Sequence, residues 1–135
     1  MSTRSFVGVM HGDKCKAIYV HSDGYLEGVG VTLQKYYDSA KANNLVAMGS
    51  CSVLGKNIGE KINFNDYDAV VKNEQCRFYK RDRNEEDCEF NVYNNDKELF
   101  EELVEFYYVN KDGVWYVSYG AEWFVLADEL AKFRF

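Results

Sequence analysis

The sequence lacks several features that would place it in a familiar class. It contains no proline among its 135 residues, and no run of consecutive apolar residues is long enough to cross a bilayer. Its first residues, M-S-T-R-S-F, have no apolar stretch of the kind found in secretory signals. The four cysteines are widely scattered and form no C-x-x-C pair, which favours reduced thiols. We therefore expect a cytoplasmic protein with no membrane partner.

Motifs that announce catalysis or cofactor binding are also missing. There is no GxxxxGK[ST], GxGxxG or G-x-S-x-G pattern, and no cysteine and histidine spacing typical of zinc sites. His21 and Asp23 are two residues apart and would share a face if a strand continued, which could make an acid–base pair or part of a metal site. Asp23 before Gly24 is also a common turn sequence, and we favour that role. We predict no catalytic residue, metal or cofactor.

The formal net charge of −6 argues against direct binding of nucleic acid, which needs lysine and arginine on phosphates. An acidic surface would instead suit a basic protein partner. The one basic island, from Lys72 to Arg83, is followed at once by acidic residues 85–89. We expect the two clusters to neutralise each other, although Arg77, Arg81 or Arg83 could instead face a pocket and bind phosphate.

Hydrophobic patterning predicts an α+β fold, a single domain over residues 1–135. We expect a mainly antiparallel sheet with two or three helices packed on one face, because strands outnumber helices and most neighbouring strands form hairpins. The clearest hairpin turns at Asp112-Gly113, and Asn95 with Glu98 forms a capping box. The 11 tyrosines and 9 phenylalanines suit a strand-rich protein. Strands are expected at 5–10, 15–21, 75–80, 106–110, 114–119 and 122–126, and helices at 28–41, 42–48 and after Asn95.

The segment from Ala17 to Asp38 is the centre of the expected site. A strand over residues 17–21 leads through the turn Ser22-Asp23-Gly24-Tyr25 into a helix, where free backbone N–H groups favour anions. The first hairpin brings residues 3–5 to the end of the sheet at which this turn begins. We expect a positive φ at Gly24.

Four segments together resemble a family of small bacteriophage and mobile-element proteins: T-R-S-F-V-G, I-Y-V-H-S-D-G-Y-L-E-G-V-G, L-x-K-Y-Y and D-G-V-W-Y-V. Members typically carry T-R-S and Y-C-H-W-D-G-Y-P-x-x-x-G. This chain has Ser22 where the family often has tryptophan and Leu26 where it often has proline. The resemblance implies an accessory protein that acts on host defence in the cytoplasm of the host cell.

Our first hypothesis is a binding protein that sequesters a nucleotide-derived immune signal without cleaving it. Arg4 and the turn would hold phosphate, hydroxyls would bind ribose or phosphate, and a tyrosine would stack on a base. The expected ligand-binding residues are Thr3, Arg4, Ser5, His21, Asp23, Gly24, Tyr25 and Tyr36.

Two alternatives remain open. One is an acidic inhibitor of a host nucleic-acid-binding defence complex, similar in action to anti-CRISPR proteins. The other, less favoured, is a phosphodiesterase-type enzyme that uses His21 and Asp23. Tyrosine-rich edge strands would permit a homo-oligomer.

Overall fold

The computed structural model describes residues 3–135, so Met1 and Ser2 of the expected domain lie outside the described residues. The strands are β1 Ser5–His11, β2 Lys14–Val20, β3 Cys51–Val53, β4 Arg77–Phe78, β5 Asn91–Tyr93, β6 Phe106–Lys111, β7 Val114–Ser118 and β8 Trp123–Val125. A π-helical segment, Leu26–Gly30, precedes the α-helices, which are α1 Val31–Tyr36, α2 Ser39–Ala47, α3 Tyr67–Asn73, α4 Tyr79–Arg83, α5 Asp96–Phe100 and α6 Leu126–Lys132. The expected α+β fold is confirmed.

All eight strands belong to one mixed sheet, in the order β4-β3-β2-β1-β6-β7-β8, with β5 paired to the first half of β2. Hairpin neighbours are antiparallel, as expected. Two pairings between distant segments are parallel, β1 with β6 and β2 with β3. These parallel pairs place residues 3–5, the end of β2 and the start of β3 side by side at one end of the sheet.

Strand alternation gives the sheet two apolar faces. Val7, Ile18 and Tyr108 point to the larger core, where they pack against the π-helical segment and against α1, α2 and α6. Phe6, Ala17 and other residues with the opposite orientation form a smaller core with Leu99 of α5. Helical residues therefore cover both faces, and the six α-helices exceed the two or three expected on one face.

The local signals of turns and caps are confirmed. The β6–β7 loop has positive φ at both Asp112 (52°) and Gly113 (84°), as a type I′ hairpin requires. Asn95 caps α5 by accepting a hydrogen bond from the Glu98 N–H at 2.9 Å. The Glu98 carboxylate reaches back to the N–H of Asn94, one residue earlier than in the usual capping box.

Two expected elements are shorter than predicted. The helix expected over residues 28–41 ends at Tyr36, because Tyr37 is extended and Asp38 starts a new helix by accepting from the Lys41 N–H at 2.8 Å. The strand expected over residues 75–80 is only β4, after which the chain turns into α4. Within residues 3–135, no helix has the length and apolar character needed to cross a membrane.

Candidate anion-binding site

The turn after β2 lies where the sequence predicts, but its backbone geometry differs. The Gly24 N–H donates to the carbonyl of Thr3 at 2.8 Å, so residues 3–5 and the turn are indeed adjacent. The expected positive φ at Gly24 is wrong, because Asp23 takes that conformation at φ 56°. Glycine is needed at position 24 because the backbone there lies close to residues 3–5. A Cβ would lie 2.9 Å from both the Ser5 Cβ and the Thr3 carbonyl oxygen.

Several N–H groups of this turn already donate to backbone carbonyls. Those of Val29 and Gly28 donate to the carbonyls of Asp23 and Tyr25, and the Ser22 N–H donates to Ser52. The Tyr25 hydroxyl donates to the Asp23 carboxylate at 3.0 Å, and this hydrogen bond is the main cause of a raised pKa of Tyr25. The structure therefore gives the turn a role in joining β2 to the helical segment.

The eight expected site residues do not form one group. Tyr36 lies at the far end of α1, about 15 Å along a helical run from Tyr25. It lines a separate cavity of 420 Å³ beside the β6–β7 loop, and the Lys56 ammonium lies 5.1 Å from its ring centre. His21 forms a hydrogen bond to the Tyr19 hydroxyl through Nδ1 at 2.7 Å, and it forms no hydrogen bond or ion pair with Asp23 within residues 3–135. The acid–base pairing considered for His21 and Asp23 is therefore absent from this structure.

A different set of polar residues meets on the face of the smaller core. Extending the strand registers beyond their last pairs places Arg4 opposite His21, His21 beside Ser52, and Ser52 next to Arg77. These four residues form a row across β1, β2, β3 and β4, with about 4.8 Å between neighbouring strands. Tyr19 and Tyr79 adjoin the row. We call these six residues the cationic cluster: Arg4, Tyr19, His21, Ser52, Arg77 and Tyr79.

One guanidinium group, that of Arg77, points to the centre of the cluster. Arg77 donates through Nη2 to the Ser52 hydroxyl at 2.8 Å. Burial raises the pKa of Tyr19, and the Arg4 charge opposes that rise. Burial also raises the pKa of Tyr79. Arg4 and Arg77 therefore flank hydroxyl groups that are neutral at physiological pH.

The positive charge of the cluster is not balanced by ion pairs. Among residues 3–135 there are four ion pairs, and neither Arg4 nor Arg77 belongs to any of them. Arg77 is half-buried, and its Nε is buried without a hydrogen-bond partner. The carboxylate of Glu105 lies near Arg4 but accepts from its backbone N–H at 3.0 Å. Two uncompensated guanidinium groups on one face distinguish this region within an acidic chain.

Three other members of the basic island form ion pairs, as expected for most of it. Arg81 forms a buried pair with Asp82 at 2.9 Å and donates to three backbone carbonyls. Lys80 and Arg83 pair with Glu89 and Glu85 on the surface, so these two acidic residues do neutralise part of the island. Of the three arginines that could face a pocket, Arg77 lies in the cationic cluster and Arg83 lines a cavity.

Phe64 borders the cluster and orders one of its arginines. Arg77 donates through Nη1 to the Phe64 carbonyl at 3.2 Å, and its guanidinium lies 4.3 Å from the centre of the Phe64 ring. The loop carrying Phe64 is held by Asp82, which accepts from the Ile62 N–H at 3.0 Å and through its backbone carbonyl from the Phe64 N–H.

Sequence reasoning missed Tyr19, Ser52, Arg77 and Tyr79 as members of one site. Alternation gave a partial signal, because Cys51 and Phe78 are apolar and buried in the larger core, which directs Ser52 and Arg77 to the other face. The pairing of β2 with β3 had no such signal. Among the described residues, no group of three or more histidine, cysteine or acidic side chains could hold a metal ion.

The chain was compared with protein-family models, with curated proteins and with solved structures, and none of the three comparisons found a match.

Proposed function

We propose that this protein binds a nucleotide-derived anion at the cationic cluster and holds it without cleaving it. The observation that carries the proposal is the pair of guanidinium groups, Arg4 and Arg77, which form no ion pair among residues 3–135 and lie in one row with the His21 imidazole and the Ser52 hydroxyl. Guanidinium groups bind phosphate through paired N–H donors, and hydroxyls add further donors.

Capture accounts for the arrangement better than turnover does. A serine nucleophile needs a base within hydrogen-bond reach, but the Ser52 hydroxyl accepts from the Arg77 guanidinium, which cannot act as a base. The recorded side-chain partner of His21 is the Tyr19 hydroxyl, which fixes the ring. Together with the resemblance to phage proteins, this supports a counter-defence protein that sequesters a nucleotide-type immune signal.

The test is ligand binding by purified protein. Thermal stability would be measured against a panel of cyclic dinucleotides, cyclic oligonucleotides and ADP-ribose derivatives, and any bound ligand would be recovered after denaturation and weighed by mass spectrometry. A ligand at a hundredfold excess over Kd stabilises the protein by about 2.7 kcal/mol. We expect a clear rise in Tm and recovery of the ligand unchanged.

Three variants sharpen this test. Arg77→Gln and Arg4→Ala should each abolish the ligand-induced rise in Tm while circular dichroism shows an intact fold. Lys14→Gln removes one exposed positive charge at the opposite end of β2 and should leave the rise unchanged. An equal loss of the Tm rise in all three variants would show nonspecific attraction. If no ligand of the panel raises the Tm of the wild-type protein, the proposal is refuted. Recovery of an altered ligand would instead indicate an enzyme.

One feature favours a second candidate, a protein-directed inhibitor. Leu103 is 85% exposed, the highest value among the exposed large hydrophobic residues of the described chain, and it lies between acidic residues 101–102 and 105. The loop is ordered by hydrogen bonds, since the Tyr107 hydroxyl donates to the Glu102 carbonyl and Tyr93 to its carboxylate. A basic partner with an apolar pocket would fit this loop. Leu103→Ser would then weaken the complex, whereas Arg77→Gln would not.

A further inference from the structure

A cavity of 520 Å³ is lined by Phe64, the ring of which also contacts Arg77 of the cationic cluster. It lies between the loop before α3 and the end of α4, and its lining includes Asn63, Asn65, Arg83 and Asn84. Phe64 joins the two regions, because Arg77 lies 4.3 Å and Arg83 lies 4.5 Å from the centre of its ring. A ligand bound at the cluster could therefore extend into this cavity.

The Arg83 side chain supplies a flat surface in the cavity wall. Its guanidinium lies 4.5 Å from the ring centre of Phe64 and 5.0 Å from that of Tyr79. Glu85 binds the edge of the guanidinium, through Nε at 3.1 Å, and so does not cover the face turned away from the two rings. The side chain remains 49% exposed. An aromatic ring of a ligand would stack on that open face.

Carboxamide groups supply polar recognition around that surface. Asn63, Asn65 and Asn84 all line the cavity, and each carboxamide offers both donors and an acceptor. Asn63 uses its oxygen to accept from the Asn65 N–H at 3.0 Å, which orders the loop. This combination matches the edge of a nucleobase, which presents donors and acceptors in one plane.

We propose that this cavity is a nucleobase subsite, in which the base of the ligand stacks on Arg83 while its phosphate occupies the cationic cluster. The inference rests on the proposed function, and it narrows the ligand class to nucleotides that keep an accessible base. A sugar phosphate without a base would use only the cluster.

The test compares ligands that differ only in the base. Isothermal titration calorimetry would measure Kd for AMP, GMP, CMP, UMP and ribose 5-phosphate with the wild-type protein. We expect at least one nucleotide to bind at least tenfold more tightly than ribose 5-phosphate, in line with the strength of base stacking. Arg83→Lys keeps the charge but loses the flat surface, and it should remove this preference while leaving ribose 5-phosphate binding unchanged.

A second variant, Asn84→Gly, tests the base subsite if Arg83→Lys does not fold. Asn84 has φ 55°, a conformation that glycine adopts easily, so Asn84→Gly should remove the carboxamide without strain. It should also reduce the preference for the base.

The outcomes separate the two proposals. Equal binding of ribose 5-phosphate and all four nucleotides would overturn the base subsite but keep the phosphate site. Equal weakening of ribose 5-phosphate and nucleotides by Arg83→Lys would place Arg83 at the phosphate, which also overturns the base subsite. No binding of any probe to wild-type protein would refute the phosphate site itself.

Discussion

Removing the carboxylate of Asp82 should destabilise the protein far more than removing a surface carboxylate that pairs with a lysine of the basic island. The Asp82 side chain is fully buried and its partner Arg81 is 13% exposed. Its two oxygens accept from the N–H groups of Phe78 at 2.8 Å and Ile62 at 3.0 Å, in addition to the Arg81 guanidinium. Asp82 therefore joins β4, α4 and the loop that carries Phe64.

The size of the effect follows from these contacts. Breaking a buried ion pair costs about 3–5 kcal/mol, and leaving a buried N–H without a partner costs about 1–3 kcal/mol. We do not add the cost of the unpaired N–H groups to that of the broken ion pair in full, because Arg81 keeps three carbonyl partners after the substitution. For Asp82→Ala we expect a loss of about 3–5 kcal/mol in the free energy of unfolding. The control is Glu89→Ala, which breaks a pair with both side chains 56% exposed and should cost about 0–1 kcal/mol.

Urea denaturation followed by circular dichroism measures both variants. With an unchanged slope, the midpoint for Asp82→Ala should fall by roughly 2 M, whereas that for Glu89→Ala should stay close to the wild type. A loss below about 1 kcal/mol for Asp82→Ala, or equal losses for both variants, would show that this carboxylate does not organise the loop. The contrast would then give no support to a preformed site beside Phe64.

Two further predictions concern backbone packing and pH. Gly24→Ala should lower the free energy of unfolding by about 1–3 kcal/mol, because the new Cβ meets backbone atoms of residues 3 and 4. The control is Gly30→Ala, which should be neutral or stabilising because its Cβ would be no closer than 3.4 Å to its neighbours. Equal Tm values for the two variants would contradict this prediction. Burial raises the pKa of the Cys15 thiol from 9.0 to about 12, so the folded state keeps a proton that the unfolded state loses. Stability should therefore fall as pH rises from 9 to 12, and Cys15→Ala should reduce that fall in pH-dependent urea titrations; an unchanged slope would contradict the prediction.

Local sequence signals determined much of the fold. The β6–β7 turn follows from Asp112-Gly113, since both positions need positive φ and glycine adopts it freely. The cap of α5 follows from Asn95 because a side-chain oxygen replaces a missing backbone partner. Alternation assigned residues such as Val7 and Ile18 to one buried face. In each case the residues that determine the local structure lie within a few positions of the turn, cap or strand that they form.

The candidate site was decided by tertiary structure. Its row of side chains depends on the parallel pairing of β2 with β3 and on the return of the chain to β4, contacts between segments that are some 25–30 residues apart. The β4 strand ends early because Asp82, four residues after Phe78, binds the Phe78 N–H and starts α4. Alternation tells which face a residue occupies, but it does not tell which strand lies beside it. The sequence by itself therefore determined the elements, their turns and their buried faces, whereas only the packing of distant segments brought Arg4 and Arg77 to one surface.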